Sequence, residues 1–208
     1  MSDPAAVATD GRIRRGDETR RAVLRRAVDL ASVEGLDGVT IGRLATELSI
    51  SKSGLFAHFG SKEELQLATI RAARAIFSHA VVVPAMEKPA GIVRLRALLD
   101  GWLAYSSGRA FPGGCFFSRA THEYAARPGT VQEALRDVDQ EWLALVSATI
   151  DEARELGEVR ADVDARQLAY ELDAYLDSAN MRSLLNGDLA VYDNARAAVD
   201  ARLAAVAS

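Results

Sequence analysis

Residues 40–65 read TIGRLATELSISKSGLFAHFGSKEEL, and the spacing of capping and apolar residues in this stretch decides the fold. Thr40 is a helix N-cap, because its hydroxyl can accept a backbone N–H of the first turn. The helix it opens buries Ile41, Leu44, Ala45 and Leu48, the i, i+3, i+4, i+7 rule for one face. Ser49-Ile50-Ser51 interrupts it, and Ser51 caps a third short helix that turns Leu55 and Phe59 inward. Gly60 breaks the chain, and Ser61-Lys62-Glu63-Glu64 reads as a capping box opening a fourth, longer helix through Leu65, Ala68, Ala72 and Ile76. That helix is expected to fade before Pro84. Two short helices with a three-residue break form the helix-turn-helix pattern, whose second helix enters the DNA major groove by its N-terminal residues. Here those residues are Ser51, Lys52, Ser53 and Gly54, small, polar and basic, as close approach to base edges requires.

Upstream, Leu24, Ala27, Val28 and Ala31 give a first helix that Glu34-Gly35 stops. Arg12, Arg14 and Arg15 precede it as a basic arm suited to phosphates or a neighbouring groove, and residues 1–11, without periodicity, read as a disordered arm. Residues 12–60 carry nine Arg/Lys against six Asp/Glu, whereas residues 61–208 carry 16 against 21. A basic front on an acidic body implies a polyanion partner for the front alone.

Downstream, five further helices are expected: about Ala90 to Ser107, Cys115 to Ala126, Thr130 to Gly157 behind a second capping box, Asp164 to Asn186, and Leu189 to Val206. No stretch has strand periodicity, so the fold class is all-α with about nine helices. The implied domains are a DNA-binding unit over 12–60 and a second unit over 61–208. At 208 residues and 49% hydrophobic composition the chain can bury a full core without staples. No apolar run approaches a membrane span, the stretch near Ala80–Val83 being stopped by Pro84. The first ten residues lack the apolar centre of a signal peptide, and the single Cys115 can neither form an internal disulfide nor alone hold zinc. A cytoplasmic location follows as the expectation.

The stretch Thr40 to Leu65 closely resembles the DNA-binding segment of the tetracycline-repressor (TetR) family of bacterial regulators. With the first helix, the resemblance covers roughly residues 15–65, about a quarter of the chain. It implies an all-α homodimer with a three-helix DNA-reading domain and a variable ligand-binding domain. Carried over by position, Thr40 matches a phosphate contact at the start of helix two and Arg43 a residue that often reaches DNA. Ser51, Lys52, Ser53 and Gly54 match the reading end of the recognition helix, His58 a histidine near the backbone, and Lys62 the lysine opening helix four. Phe56 departs from the pattern, standing where tyrosine is usual, so one hydroxyl–phosphate contact of ~1 kcal/mol is absent.

The implied partners are a roughly palindromic double-stranded operator, a small-molecule effector and a second copy of the chain. Dimerisation would use the last two helices, with Leu168, Leu172, Tyr175, Leu176 and Ala179 plus Val199, Leu203 and Val206 as the candidate seam. Trp102, Tyr105, Phe116, Phe117, His122 and Trp142 combine apolar bodies with polar tips, the composition of a small-molecule site. Cys115 and His122 sit seven residues apart, too far along a helix for a nucleophile–base pair. No metalloprotease, dinucleotide or phosphate-loop motif occurs; neither an enzyme nor a metal or cofactor site is expected. Asp173 and Asp177, four apart, read as a solvated face. The alternative class is an all-α dimeric ligand- or partner-binding protein without DNA binding, kept open by Phe56 and the modest charge of the front.

Overall fold

The computed structural model describes residues 4–208, with side chains from Gly16 onward. Among these residues nine helices carry the fold: α1 (Pro4–Glu34), α2 (Ile41–Glu47), α3 (Lys52–Phe59), α4 (Lys62–Met86), α5 (Ile92–Ser107), α6 (Phe116–Tyr124), α7 (Thr130–Glu155), α8 (Ala165–Asn186) and α9 (Val191–Val206). The one extended pairing among them is a single bridge, Val159 with Ala207. The all-α class read from periodicity is the class of the structure.

The caps that delimit the reading head form as their residue types dictate. Thr40 Oγ1 accepts from Arg43 N–H at 3.2 Å, Ser51 Oγ from Gly54 N–H at 3.2 Å, and Ser61 Oγ from Glu64 N–H at 3.0 Å. Each satisfies an orphan donor of a helix start. Asp164 caps α8 in the same way, and Gly187 ends that helix in the left-handed conformation.

Four expectations are corrected. The backbone is helical from Pro4, so the arm expected over 1–11 is helix where it is described, and residues 1–3 lie outside the described residues. Proline is preorganised at a helix start, and the isolated Gly11 lowers helix propensity without ending the helix. Second, α4 does not fade before Pro84. Its turn Ser78–Val82 widens to a π-helix, with Val83 N–H donating to Ser78 O, and the chain passes Pro84 to end at Met86. This makes Lys62–Met86 long and apolar enough to cross a membrane by length and composition, although no run was expected to reach that limit. Here the helix is packed against α1, α5 and α7.

Third, the capping box at Thr130 does not form. Gly129, at φ 140°, takes the N-cap position, and Thr130 is already the first helical residue. Fourth, the candidate dimer seam is mostly interior. Leu168, Leu172, Leu176, Ala179, Val199, Leu203 and Val206 are buried within the chain itself, because α8 and α9 turn their main apolar stripes inward. The apolar side chains that α8 and its following turn leave in solvent are others, among them Met181, Leu184, Leu185 and Leu189.

One apolar core runs from Val23 and Leu44 in the head to Leu203 in α9. Gly113 shows how tightly head and body meet. A Cβ there would lie 1.9 Å from the Ser32 carbonyl oxygen of α1, and its N–H donates to Ser32 Oγ at 3.0 Å.

Candidate DNA-reading head and effector cavity

The N-terminal end of α3 is open. Ser51, Lys52 and Ser53 are exposed, and Lys52 makes no ion pair among the described residues. Gly54 cannot carry a side chain without loss, since a Cβ would lie 2.9 Å from the Ser51 hydroxyl that caps the helix. Leu55 and Phe59 face inward, while Phe56 is 54% exposed. The aromatic ring therefore stands in solvent on α3.

The other predicted head contacts are engaged within the chain. Arg43 is held by both carboxylate oxygens of Glu34 and by Glu47 at 3.0 Å, and Arg26 joins Glu47 at 2.6 Å. The hydrogen bonds from Arg43 hold the Glu34 and Glu47 carboxyls below the usual range. Lys62 Nζ donates to Asp37 at 2.6 Å and lowers its pKa in turn. His58 is half-buried, and its carbonyl accepts from Arg20 at 2.8 Å. Arg20 also lies 4.7 Å over the Phe59 ring, fastening α1 to the end of α3. Nothing in sequence spacing marks Arg20 for that role. Thr40 is exposed at the start of α2. The side chains of Arg12, Arg14 and Arg15 lie outside the described residues.

In the body, α4 to α8 enclose a cavity of about 300 Å³. Of the six predicted ligand residues it is lined by Trp102, Phe117, His122 and Trp142. Tyr105 and Phe116 stand behind these walls: Tyr105 packs edge-on to Phe77 at 5.3 Å, and Phe116 edge-on to Phe117 at 5.1 Å. Phe77 also packs edge-on to Trp142 at 5.4 Å and Phe117 at 6.1 Å, immediately before the π turn of α4. Nothing in the spacing of Phe77 marks it as a wall of the cavity.

Asp173 and Asp177 do not form the solvated face that their spacing suggests. Asp139 from α7 and Asp173 and Asp177 from α8 line the cavity. Asp173 accepts from Trp142 Nε1 at 2.9 Å, and burial pushes its pKa up to about 6, with the neighbouring Asp177 and Asp139 adding to the shift. Burial raises Asp139 too. His122 Nδ1 donates to Ser118 O at 2.6 Å, and its Nε2 lies 3.8 Å from Asp177 at the mouth. Cys115 is buried and its thiol is raised by desolvation, the environment of an inert cysteine. Among the described residues no group of three His, Cys, Asp or Glu is arranged to hold a metal ion.

Helix α6 belongs to both sites. Phe117, Ser118, Thr121 and His122 face the cavity. The next turn faces the head: Glu123 accepts from the backbone N–H groups of Leu36 at 2.6 Å and Asp37 at 3.1 Å. Tyr124 OH accepts from buried Gln66 of α4 at 2.8 Å, and Gln66 also donates to Leu36 O at 3.2 Å. Helix α4 makes the same journey, from Lys62 beside Asp37 to Phe77 in the cavity wall, about 22 Å at 1.5 Å per residue.

Two sequence profiles match this chain, "Bacterial regulatory proteins, tetR family" over residues 23–69 and "Tetracyclin repressor-like, C-terminal domain" over 91–199. No curated protein matches in sequence. Among solved structures, a TetR transcriptional regulator from Chloroflexus aurantiacus superposes with TM-score 0.82 at 25% identity, over 93% of this chain and 98% of the other. A putative transcriptional regulator from Saccharomonospora viridis, in complex with choline, gives 0.73 at 22% over 92% and 99%. AibR, in complex with isovaleryl coenzyme A and operator DNA, gives 0.69 at 20% over 86% and 95%. The last two are likenesses of fold.

Proposed function

The chain belongs to the tetracycline-repressor family of bacterial regulatory proteins, and from that footing we propose that it is a dimeric operator-binding repressor released by a small molecule seated between α4 and α8. The observation that carries the reading is the double duty of α6, which walls the cavity with one turn and holds the α1–α2 connection through Glu123 with the next. An effector that spreads the α6 and α7 walls displaces Glu123 and changes the pose of the head. Helix α4 follows, through Phe77 and Gln66. Release needs the effector to favour the displaced form by a few kcal/mol, since a coupling of ~1–3 kcal/mol alters operator affinity only about 5- to 150-fold.

On DNA, Lys52 with Ser51, Ser53 and exposed Phe56 meets base edges, while Thr40 and the start of α2 meet phosphate. Arg43 and Lys62 can turn to phosphates by exchanging one surface ion pair for another, a change of small net energy. The exposed Met181, Leu184, Leu185 and Leu189 form the second copy's seat, in place of the interior residues read from sequence. The protein acts in the cytoplasm and is not an enzyme: its cysteine is buried, and His122 is engaged by Ser118 and Asp177. Two relatives of the fold hold small molecules, one choline and the other isovaleryl coenzyme A with operator DNA, which supports an effector site in the same architecture.

Selection from a pool of random duplexes by the full-length protein tests the reading. Enriched sequences should converge on an inverted repeat whose half-sites lie about 34–36 Å, or a multiple, apart. Failure to enrich any sequence over the starting pool would overturn it in favour of a ligand-binding protein without DNA affinity.

A further inference from the structure

The cavity between α4 and α8 combines aromatic walls with carboxylates that no lysine or arginine pairs among the described residues. Its rings come from five helices: Phe77, Trp102, Trp142, and Phe117 with Tyr170 nearer the mouth. Its charged lining is Asp139, Asp173 and Asp177, and no Lys or Arg is among the lining residues. Several acids elsewhere are paired: Glu34, Asp37, Glu47, Glu152 and Glu171 each hold an arginine or lysine. Asp139 and Asp173 make no ion pair among the described residues, and Asp177 faces only His122. Arg136 borders Asp139 from a neighbouring shallow groove but makes no ion pair with it.

We propose that the effector is an organic cation, a compact amine or quaternary ammonium on an apolar body, held by these rings and by Asp139, Asp173 and Asp177. The inference rests on the reading of this cavity as the effector site. Ring faces attract cations through their quadrupoles, and the attraction grows where water is excluded. Carboxylates at the same site supply the counter-charge. An anionic effector would meet three like charges, and a neutral one would desolvate them without compensation. The three carboxylates do not converge as a metal site, which points to a cation larger than a bare ion. A volume of about 300 Å³ is at the small end for a ligand pocket and suits one ring with its ammonium group. The pH response follows from Asp173, which faces Asp177 on its own helix, Asp139 and Trp142 across from it, and His122 at the mouth. Below about pH 6 its carboxyl is protonated and part of the counter-charge is lost.

Trp102 and Trp142 are the two tryptophans of the chain, so intrinsic fluorescence reports this cavity directly. The full-length protein is titrated with benzyltrimethylammonium, with its neutral isostere neopentylbenzene and with the anion 3-phenylpropanoate. The cation should quench saturably and bind about tenfold or more tightly than the isostere, with the anion weakest. Asp173→Asn should lower cation affinity about tenfold and leave the isostere nearly unchanged. Asp139→Asn, at the solvent-exposed mouth, should lower it in the same sense without risk to the fold. Equal binding of cation and isostere, or unchanged cation affinity in both variants, overturns the proposal. A parallel titration on selected operator DNA separates the two claims. Saturable cation binding that leaves DNA bound supports the ligand class and contradicts the repressor reading; release by the anion alone does the reverse.

Discussion

The head and the body treat charge in opposite ways. In the head, bases are matched with acids: Arg43 with Glu34 and Glu47, Arg26 with Glu47, Lys62 with Asp37. In the cavity, Asp139 and Asp173 stand without a base. The head must stay folded when no DNA is present, and internal pairing screens a crowd of arginines that would otherwise repel one another. It leaves Lys52, exposed at the tip of α3, without an ion pair among the described residues. The cavity can leave its acids unmatched only at a cost in stability, which is the usual mark of a site built for a ligand rather than for folding.

The comparison requires that the two regions be one mechanical unit, and Gly113 is where that breaks most easily. Gly113→Ala drives a methyl into the Ser32 carbonyl. It should cost about 3 kcal/mol and lower Tm by many degrees, as thermal unfolding would show. An unchanged Tm would mean that head and body are not in rigid contact there. Next in size, Lys52→Ala should weaken DNA binding about tenfold and reduce the slope of log affinity against log salt by about one. Affinity measured across a salt series checks both.

Asp173→Asn sharpens the other side. The folded carboxyl has its pKa at about 6, above the ordinary carboxylate value, so the wild-type protein is penalised where the group is ionised and not where both folded and unfolded forms are protonated. The amide should therefore raise stability near pH 7.5 by on the order of 1 kcal/mol, and the gain should vanish only below the unfolded pKa, at pH ~3. Melts at the two pH values decide it; a loss of stability at pH 7.5 would show that the carboxylate is already compensated. The smallest effect is expected from Glu47→Gln, which frees part of Arg43 and Arg26. Binding to non-specific DNA should tighten a few-fold.

The head was readable because its information is local. Thr40, Ser51 and Ser61 bond to N–H groups three residues on, and Leu44, Leu55 and Phe59 are spaced for one face. Local reading also explains the errors. At Thr130 the pattern of a capping box is present, but Gly129 takes the cap. At Pro84 a usual helix breaker is accommodated by a π turn that local spacing does not announce. Asp173 and Asp177 have the four-residue spacing of any solvated acidic pair, and only the approach of α7, bringing Trp142 and Asp139, makes them cavity walls. The role of Glu123 is equally non-local: its partners are the amides of Leu36 and Asp37, more than eighty residues away. Of the aromatic residues singled out by composition, Trp102, Phe117, His122 and Trp142 line the cavity. Composition could not separate the cavity wall from the layer behind, where Tyr105 and Phe116 lie.

The central claim, that α3 presents a DNA-reading end, is tested most directly by fluorescence anisotropy of a labelled duplex from upstream of the protein's own gene. Wild type and Lys52→Ala are titrated side by side at low and high salt. The account predicts tight binding that unlabelled unrelated DNA does not displace, a steep loss of affinity with salt, and a weaker, shallower curve for the variant. Binding no stronger than to unrelated duplex of the same length, with the two proteins indistinguishable at both salts, would contradict it.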